Sequence, residues 1–164
     1  MKPHPQSIFE TLEDFVSWDK YGLQNDLIEE LSDSEKQQAR AAIQCLRALL
    51  GEDFLRRSAQ EVNPIFYWFF RDSSSSARRS LMRFAEQLKV LERASNFNGL
   101  VARLRTCEKA EEALTVIEVA DKFWRSGFRI YFDPRTMSGS VPDLRLVDPE
   151  NGEDIYVEVS RLRK

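Results

Sequence analysis

The chain has 164 residues, a length that suits one domain of ordinary size or two small ones. Apolar residues make up 42%, with eleven Phe and three Trp among them, which excludes a disordered chain; no apolar run reaches the roughly 18 residues of a membrane-spanning helix. The net charge of −3 is unevenly spread: residues 1–40 balance to −5, residues 41–106 to +5 and residues 107–164 to −3, and the basic middle fits a polyanion partner or a solvated helix face.

Up to about residue 127 the pattern is helical. Met1-Lys2-Pro3-His4-Pro5 leads into an acidic amphipathic stretch and does not read as a secretory signal. Ile8, Leu12, Phe15 and Val16 share a helical face, and Leu27, Ile28 and Leu31 form a short second segment. Ser32-Asp33-Ser34-Glu35 has the composition of a helix start, with acidic residues in the first turn. The helix it opens carries Ala39, Ala42, Ile43, Leu46, Leu49 and Leu50 and should stop at Gly51. Another begins near Phe54 and should end before Asn63-Pro64, because the residue ahead of proline disfavours the α region.

Ile65-Phe66-Tyr67-Trp68-Phe69-Phe70 suits a buried strand or a short buried helix, and Pro64 at its start favours the helix. Such a run is expected to plug the core rather than to stack bases. Ser73-Ser74-Ser75-Ser76 marks a break, and Ala77–Arg93 is an amphipathic helix whose apolar face is Leu81, Phe84, Ala85, Leu88 and Leu91. Arg71, Arg78, Arg79 and Arg83 cluster in and around this helix; they are where phosphate contacts are expected if the partner is nucleic acid. Asn96-Phe97-Asn98-Gly99 reads as a turn and sets a boundary, giving a helical region over 1–96 and a second region over 97–164. A short helix over Leu100–Arg105 follows, then one over Glu108–Ser126 that ends at Gly127.

The period then changes to two. Phe128–Phe132, Asp143–Val147 and Ile155–Ser160 are strand candidates, separated by a Pro/Ser/Gly-containing loop and by an Asn151-Gly152 turn. The fold class is therefore α+β, a mainly helical N-terminal part followed by a helix and a three-stranded antiparallel meander. Alternation sends Ile155, Val157 and Val159 to one face and Tyr156, Glu158 and Ser160 to the other. Counting outward from the Asn-Gly turn brings Asp143 opposite the Glu158–Ser160 end, on the same side of the sheet as Glu158.

Cys45 and Cys107 lie far apart, which fits a reducing, cytoplasmic setting and no zinc site. The single histidine, His4, lies in the N-terminal tail, so hydrolytic chemistry would have to run on carboxylates. Two carboxylates brought together repel unless a hard cation such as Mg²⁺ sits between them, and such an ion can polarise a phosphoryl oxygen and acidify bound water. Glu118, at the border of the preceding helix's apolar face, is a third carboxylate within reach of such a site.

Glu118 on a helix, a strand after Gly127, Pro142-Asp143 at the start of a second strand and Glu158-Val159-Ser160 on a third resemble the catalytic core of the PD-(D/E)xK, or restriction-endonuclease-like, nucleases over about residues 107–161. The resemblance implies Mg²⁺-dependent (or Mn²⁺-dependent) hydrolysis of phosphodiester bonds. It implies Asp143, Glu158 and the Val159 carbonyl as metal ligands and Glu118 as a further carboxylate of the site. Ser160 stands where the family has lysine. A hydroxyl carries no charge and has a short reach, so it cannot replace that lysine's electrostatics. Arg145 and Lys122 are the candidate substitutes, and Arg161 is expected on the opposite sheet face. The family core also continues past its third strand, whereas this sequence stops at Arg161-Leu162-Arg163-Lys164; an open sheet edge would invite a second copy, a homodimer. Two further readings stand beside the nuclease: an inactive module of the same fold that binds nucleic acid or a protein, and an unrelated helical interaction protein with a small sheet.

Overall fold

A computed structural model describes residues 12–160. The features read above at Met1–Pro5, Ile8 and Arg161–Lys164 lie outside the described residues. The chain divides into two compact units, Met1–Glu86 and Gln87–Lys164. The division falls ahead of Asn96-Phe97-Asn98-Gly99, where the sequence places its boundary.

The first unit is helical. α1 (Leu12–Phe15) does not run on through Val16; the chain breaks there, and the Ser17 hydroxyl accepts from the Lys20 N–H at 3.4 Å to start α2 (Trp18–Gln24). The segment expected at Leu27, Ile28 and Leu31 is only a 3₁₀ turn over Asn25–Leu27. Ile28 then takes extended backbone, and Ile28 and Leu31 are buried as loop residues. α3 (Asp33–Leu50) starts where expected: Glu35 N–H donates to Ser32 Oγ at 3.2 Å, and Ser32 N–H donates to Glu35 Oε2 at 2.9 Å. It ends at Gly51, whose φ of 96° suits a residue without Cβ.

α4 (Phe54–Glu61) is followed by the aromatic run, which is helical as Pro64 favours. It forms a π turn over Phe66–Phe70 closed by Arg71 N–H on Phe66 O at 3.0 Å. Ile65, Phe66 and Phe70 are buried, while Trp68 remains 46% exposed. Phe70 meets Trp18 and Tyr21 edge-on at ring separations of 5.4 and 5.1 Å, which ties α2 to the aromatic turn. α5 (Ser75–Leu91) buries Leu81, Phe84 and Leu88 as its periodicity predicts.

In the second unit, Asn96-Phe97-Asn98-Gly99 is not a free turn. Asn96 sits at φ 62°, and α6 (Phe97–Leu104) begins immediately after it. A Cβ on Gly99 would lie 2.8 Å from Asn96 Oδ1, so the helix start needs glycine there to keep the Asn96 side chain in place. α7 (Cys107–Arg125) buries Ala110, Ala113, Ile117 and Ala120 and stops before Gly127 at φ 90°.

β1 (Arg129–Phe132), β2 (Leu144–Val147) and β3 (Asp154–Val157) form an antiparallel sheet in that order. Ile130, Phe132, Leu144 and Leu146 are buried, and α6 and α7 pack on this part of the sheet. The register sets Ile155 and Val157 beside Leu146 and Leu144, on the face those two residues bury, but leaves them far less covered. Among the described residues β3 is an edge strand, Ile155 is 42% exposed and Tyr156 48%, and Val157 and Val159 are half-buried. Alternation fixed which residues share a face but carried no information on whether anything covers it. The fold is thus α+β, mostly helical, with a three-stranded antiparallel meander.

Candidate functional site

The carboxylate of Asp143 lies at the start of β2, where α6, α7 and the ends of β1 and β3 come together. The ladder pairs Leu144 with Val157, so one step outward the register sets Asp143 opposite Glu158. The Val159 N–H donates to Asp143 Oδ2 at 2.8 Å, which brings Asp143 against the 158–160 segment as the alternation predicts. Glu158 and Ser160 follow the last strand residue and are exposed.

The other oxygen of Asp143 belongs to Arg103. The Arg103 guanidinium, on the last turn of α6, donates to Asp143 Oδ1 at 3.2 Å, to Asp133 Oδ1 at 2.8 Å and to Glu112 Oε1 at 2.6 Å. The Arg103 and Asp143 side chains are only 13% and 9% exposed, so this pair is held largely out of water. Asp133, just after β1, is bent to φ 44°. That bend lets its N–H donate to Asp143 O at 3.0 Å while its carboxylate meets Arg103. The approach of α6 is set from its other end: Asn96 Nδ2 donates to Phe132 O at 3.3 Å, and Phe132 N–H donates to Ser95 O at 3.0 Å. One helix therefore grips the end of β1 through Asn96 and the start of β2 through Arg103.

Glu118 is exposed on α7. The helix offers Glu112 to the Arg103 hub and buries Asp121 instead, 4% exposed, against Gln87 Nε2 at 3.2 Å and Arg125 Nε at 3.0 Å. Among the described residues, no group of three or more His, Cys, Asp or Glu side chains is arranged to hold a metal ion. The donors implied for Mg²⁺ do not fit such an ion as they stand. Both Asp143 oxygens are committed, one to a fixed cation, and a metal would have to displace Arg103 from a nearly dry pair. Of the candidate replacements for the lysine, Arg145 stacks over Tyr131 at 4.0 Å and lies 3.8 Å from Asp154, and Lys122 is exposed.

The basic cluster is also rearranged. Arg71 and Arg83 are exposed, and Arg71 lies over the Tyr67 ring at 5.6 Å. Arg79 pairs with Glu35 at 2.8 Å. Arg78 is corrected as a phosphate contact: it is fully buried, donates to Gln24 Oε1 at 2.7 Å and lies over the Tyr21 ring at 5.6 Å. Among the described residues its Nε and Nη1 have no hydrogen-bond partner, and burial pushes its pKa down. The reason is its place on α5, one turn before Leu81 and two before Ala85, on the buried stripe.

No protein-family model, curated protein or solved structure matches the chain. No helix among the described residues is long and apolar enough to cross a membrane.

Proposed function

We propose that this chain is a non-catalytic binding module whose helix-and-strand order is that of the PD-(D/E)xK nucleases. The observation that carries this reading is the state of Asp143. Its two oxygens are engaged by the Arg103 guanidinium and the Val159 N–H, so the carboxylate that the resemblance assigns to a metal works here as a structural clamp. Arg103 supplies in a fixed side chain the positive charge that Mg²⁺ would bring. Ser160 supplies no charge toward a scissile phosphate.

The rival reading is Mg²⁺-dependent phosphodiester hydrolysis, favoured by the register that sets Asp143 opposite Glu158. Incubation of the full chain with plasmid and single-stranded oligonucleotide in Mg²⁺ or Mn²⁺ separates the two. The expected result is no cleavage above buffer. Hydrolysis abolished by both Asp143→Ala and Glu158→Ala, in variants that still fold, would overturn the non-catalytic reading and establish the nuclease.

A further inference from the structure

We infer that the open edge of β3 is a strand-addition site for an extended basic peptide, of the pattern Lys/Arg, β-branched, aromatic, β-branched, Lys/Arg. The inference rests on the reading of the chain as a binding module and names the class of partner.

The backbone parity comes first. At the β2–β3 turn Asp148 N–H donates to Glu153 O at 2.9 Å, and past the strand Val159 N–H reaches back to Asp143. Antiparallel pairs alternate between hydrogen-bonded and non-hydrogen-bonded, so Glu153, Ile155, Val157 and Val159 turn their backbone groups toward β2. Asp154, Tyr156 and Glu158 turn theirs to the outer side, where no strand among the described residues pairs with them. These groups form a row that an extended chain can pair with.

The side chains decide what kind of chain. Asp154, Tyr156 and Glu158 alternate onto one face, an aromatic ring between two carboxylates, and Glu153 adds a third acid at the start. Ile155 and Val157 project on the other face, and Ile155 is left 42% exposed. Arg145, on the same face as Tyr156, offsets Asp154 in part from 3.8 Å. A second copy of this chain suits the edge poorly. In the centred self-pairing, Tyr156 against Tyr156, Asp154 of each strand faces Glu158 of the other, and like charges directly opposite are destabilising. A strand with cations at positions i and i+4 and an aromatic residue between them satisfies the edge on every position: the cations face Asp154 and Glu158, the ring faces Tyr156, and β-branched residues extend the Ile155–Val157 face.

The test uses the full chain and a capped synthetic peptide with the core Lys-Val-Tyr-Val-Lys, followed by backbone amide chemical shifts. Saturable shifts over Asp154–Glu158 that weaken with salt are expected, with the Glu-flanked peptide binding at least about tenfold more weakly. The double reversal Asp154→Lys, Glu158→Lys should invert that preference. Tyr156→Pro removes an N–H that the β2–β3 ladder does not use, so the fold should persist by circular dichroism while binding is lost. Binding indifferent to both changes overturns the inference, as does a dimer that forms without peptide and is broken by Tyr156→Pro. Cleavage and peptide binding are read separately. Cleavage together with peptide binding removes only the non-catalytic reading; neither together removes only this inference.

Discussion

Arg103 and Asp143 lie 40 positions apart in the chain and meet at 3.2 Å, with side chains that are 13% and 9% exposed. Removing one partner of such a pair leaves the other as an uncompensated charge with little access to water. Arg103 also holds Asp133 and Glu112, so its loss exposes Asp133 and Asp143 to each other's repulsion. Arg103→Ala is therefore expected to cost about 3 kcal/mol in urea denaturation. Glu112→Ala, removing a carboxylate that is 57% exposed, should cost under about 1 kcal/mol.

Substitution at Asp143 distinguishes a clamp from a metal ligand. If Asp143 works as a clamp, Asp143→Ala strips the acceptor from both Arg103 and the Val159 N–H and should lower stability by about 3 kcal/mol. Asp143→Asn keeps one carbonyl for the Val159 N–H and should lose roughly half as much. A carboxylate maintained for a metal gives the opposite order of effects: relief of repulsion on substitution, and stabilisation by Mn²⁺ that disappears in the variant. Thermal unfolding of both variants with Mn²⁺ and with a chelator reads the difference.

Local signals carried much of the architecture. Ser32 with Glu35, the stop at Gly51, the stop at Gly127 and the three strands were legible because caps, left-handed glycines and period-two alternation act over a few residues. The Arg103 hub was not. Its partners lie 9, 30 and 40 positions away, and an arginine in a basic segment looks the same whether it faces solvent or three acids. The register at Asp143 was legible from the hairpin, but the exposure of β3 was not, since alternation is identical in a covered and an uncovered strand. Ser17 as a cap for α2 was missed because Asp19 and Gly22 weaken the helical signal of that segment. Arg78 was readable in principle, since its spacing to Leu81 and Ala85 put it on the apolar stripe of α5.

Arg78 carries a second prediction of stability. Its guanidinium is fully buried and bonded to Gln24 Oε1, with Nε and Nη1 lacking hydrogen-bond partners among the described residues, and burial depresses its pKa. Replacing a poorly compensated buried charge by an apolar residue of similar length is commonly neutral or stabilising. Arg78→Met should therefore match or exceed the parent chain, by about 1 kcal/mol. Arg78→Ala should fall below it, because it leaves a cavity beside Tyr21. Chemical denaturation of the three proteins gives the order.

Glu35 couples the start of α3 to pH. Hydrogen bonds from Arg79, then from the Ser32 backbone and hydroxyl, pull its carboxyl down to about 2 from the ordinary 4.5. A group whose folded pKa is depressed contributes stability that is present above its unfolded pKa and is lost as pH falls through the folded one. The contribution of Glu35 should thus be complete above about pH 5, clear of the ordinary 4.5, and decline from there toward pH 2. The pair with Arg79 is solvent-facing, so added salt should shrink it. Glu35→Gln cannot ionise, so its stability deficit against the parent chain should be steady from pH 7 to about pH 5 and narrow below that. Parallel urea titrations across that range measure it, and a deficit that stays constant down to pH 2 would show that the capping geometry, and not the charge, is what Glu35 contributes.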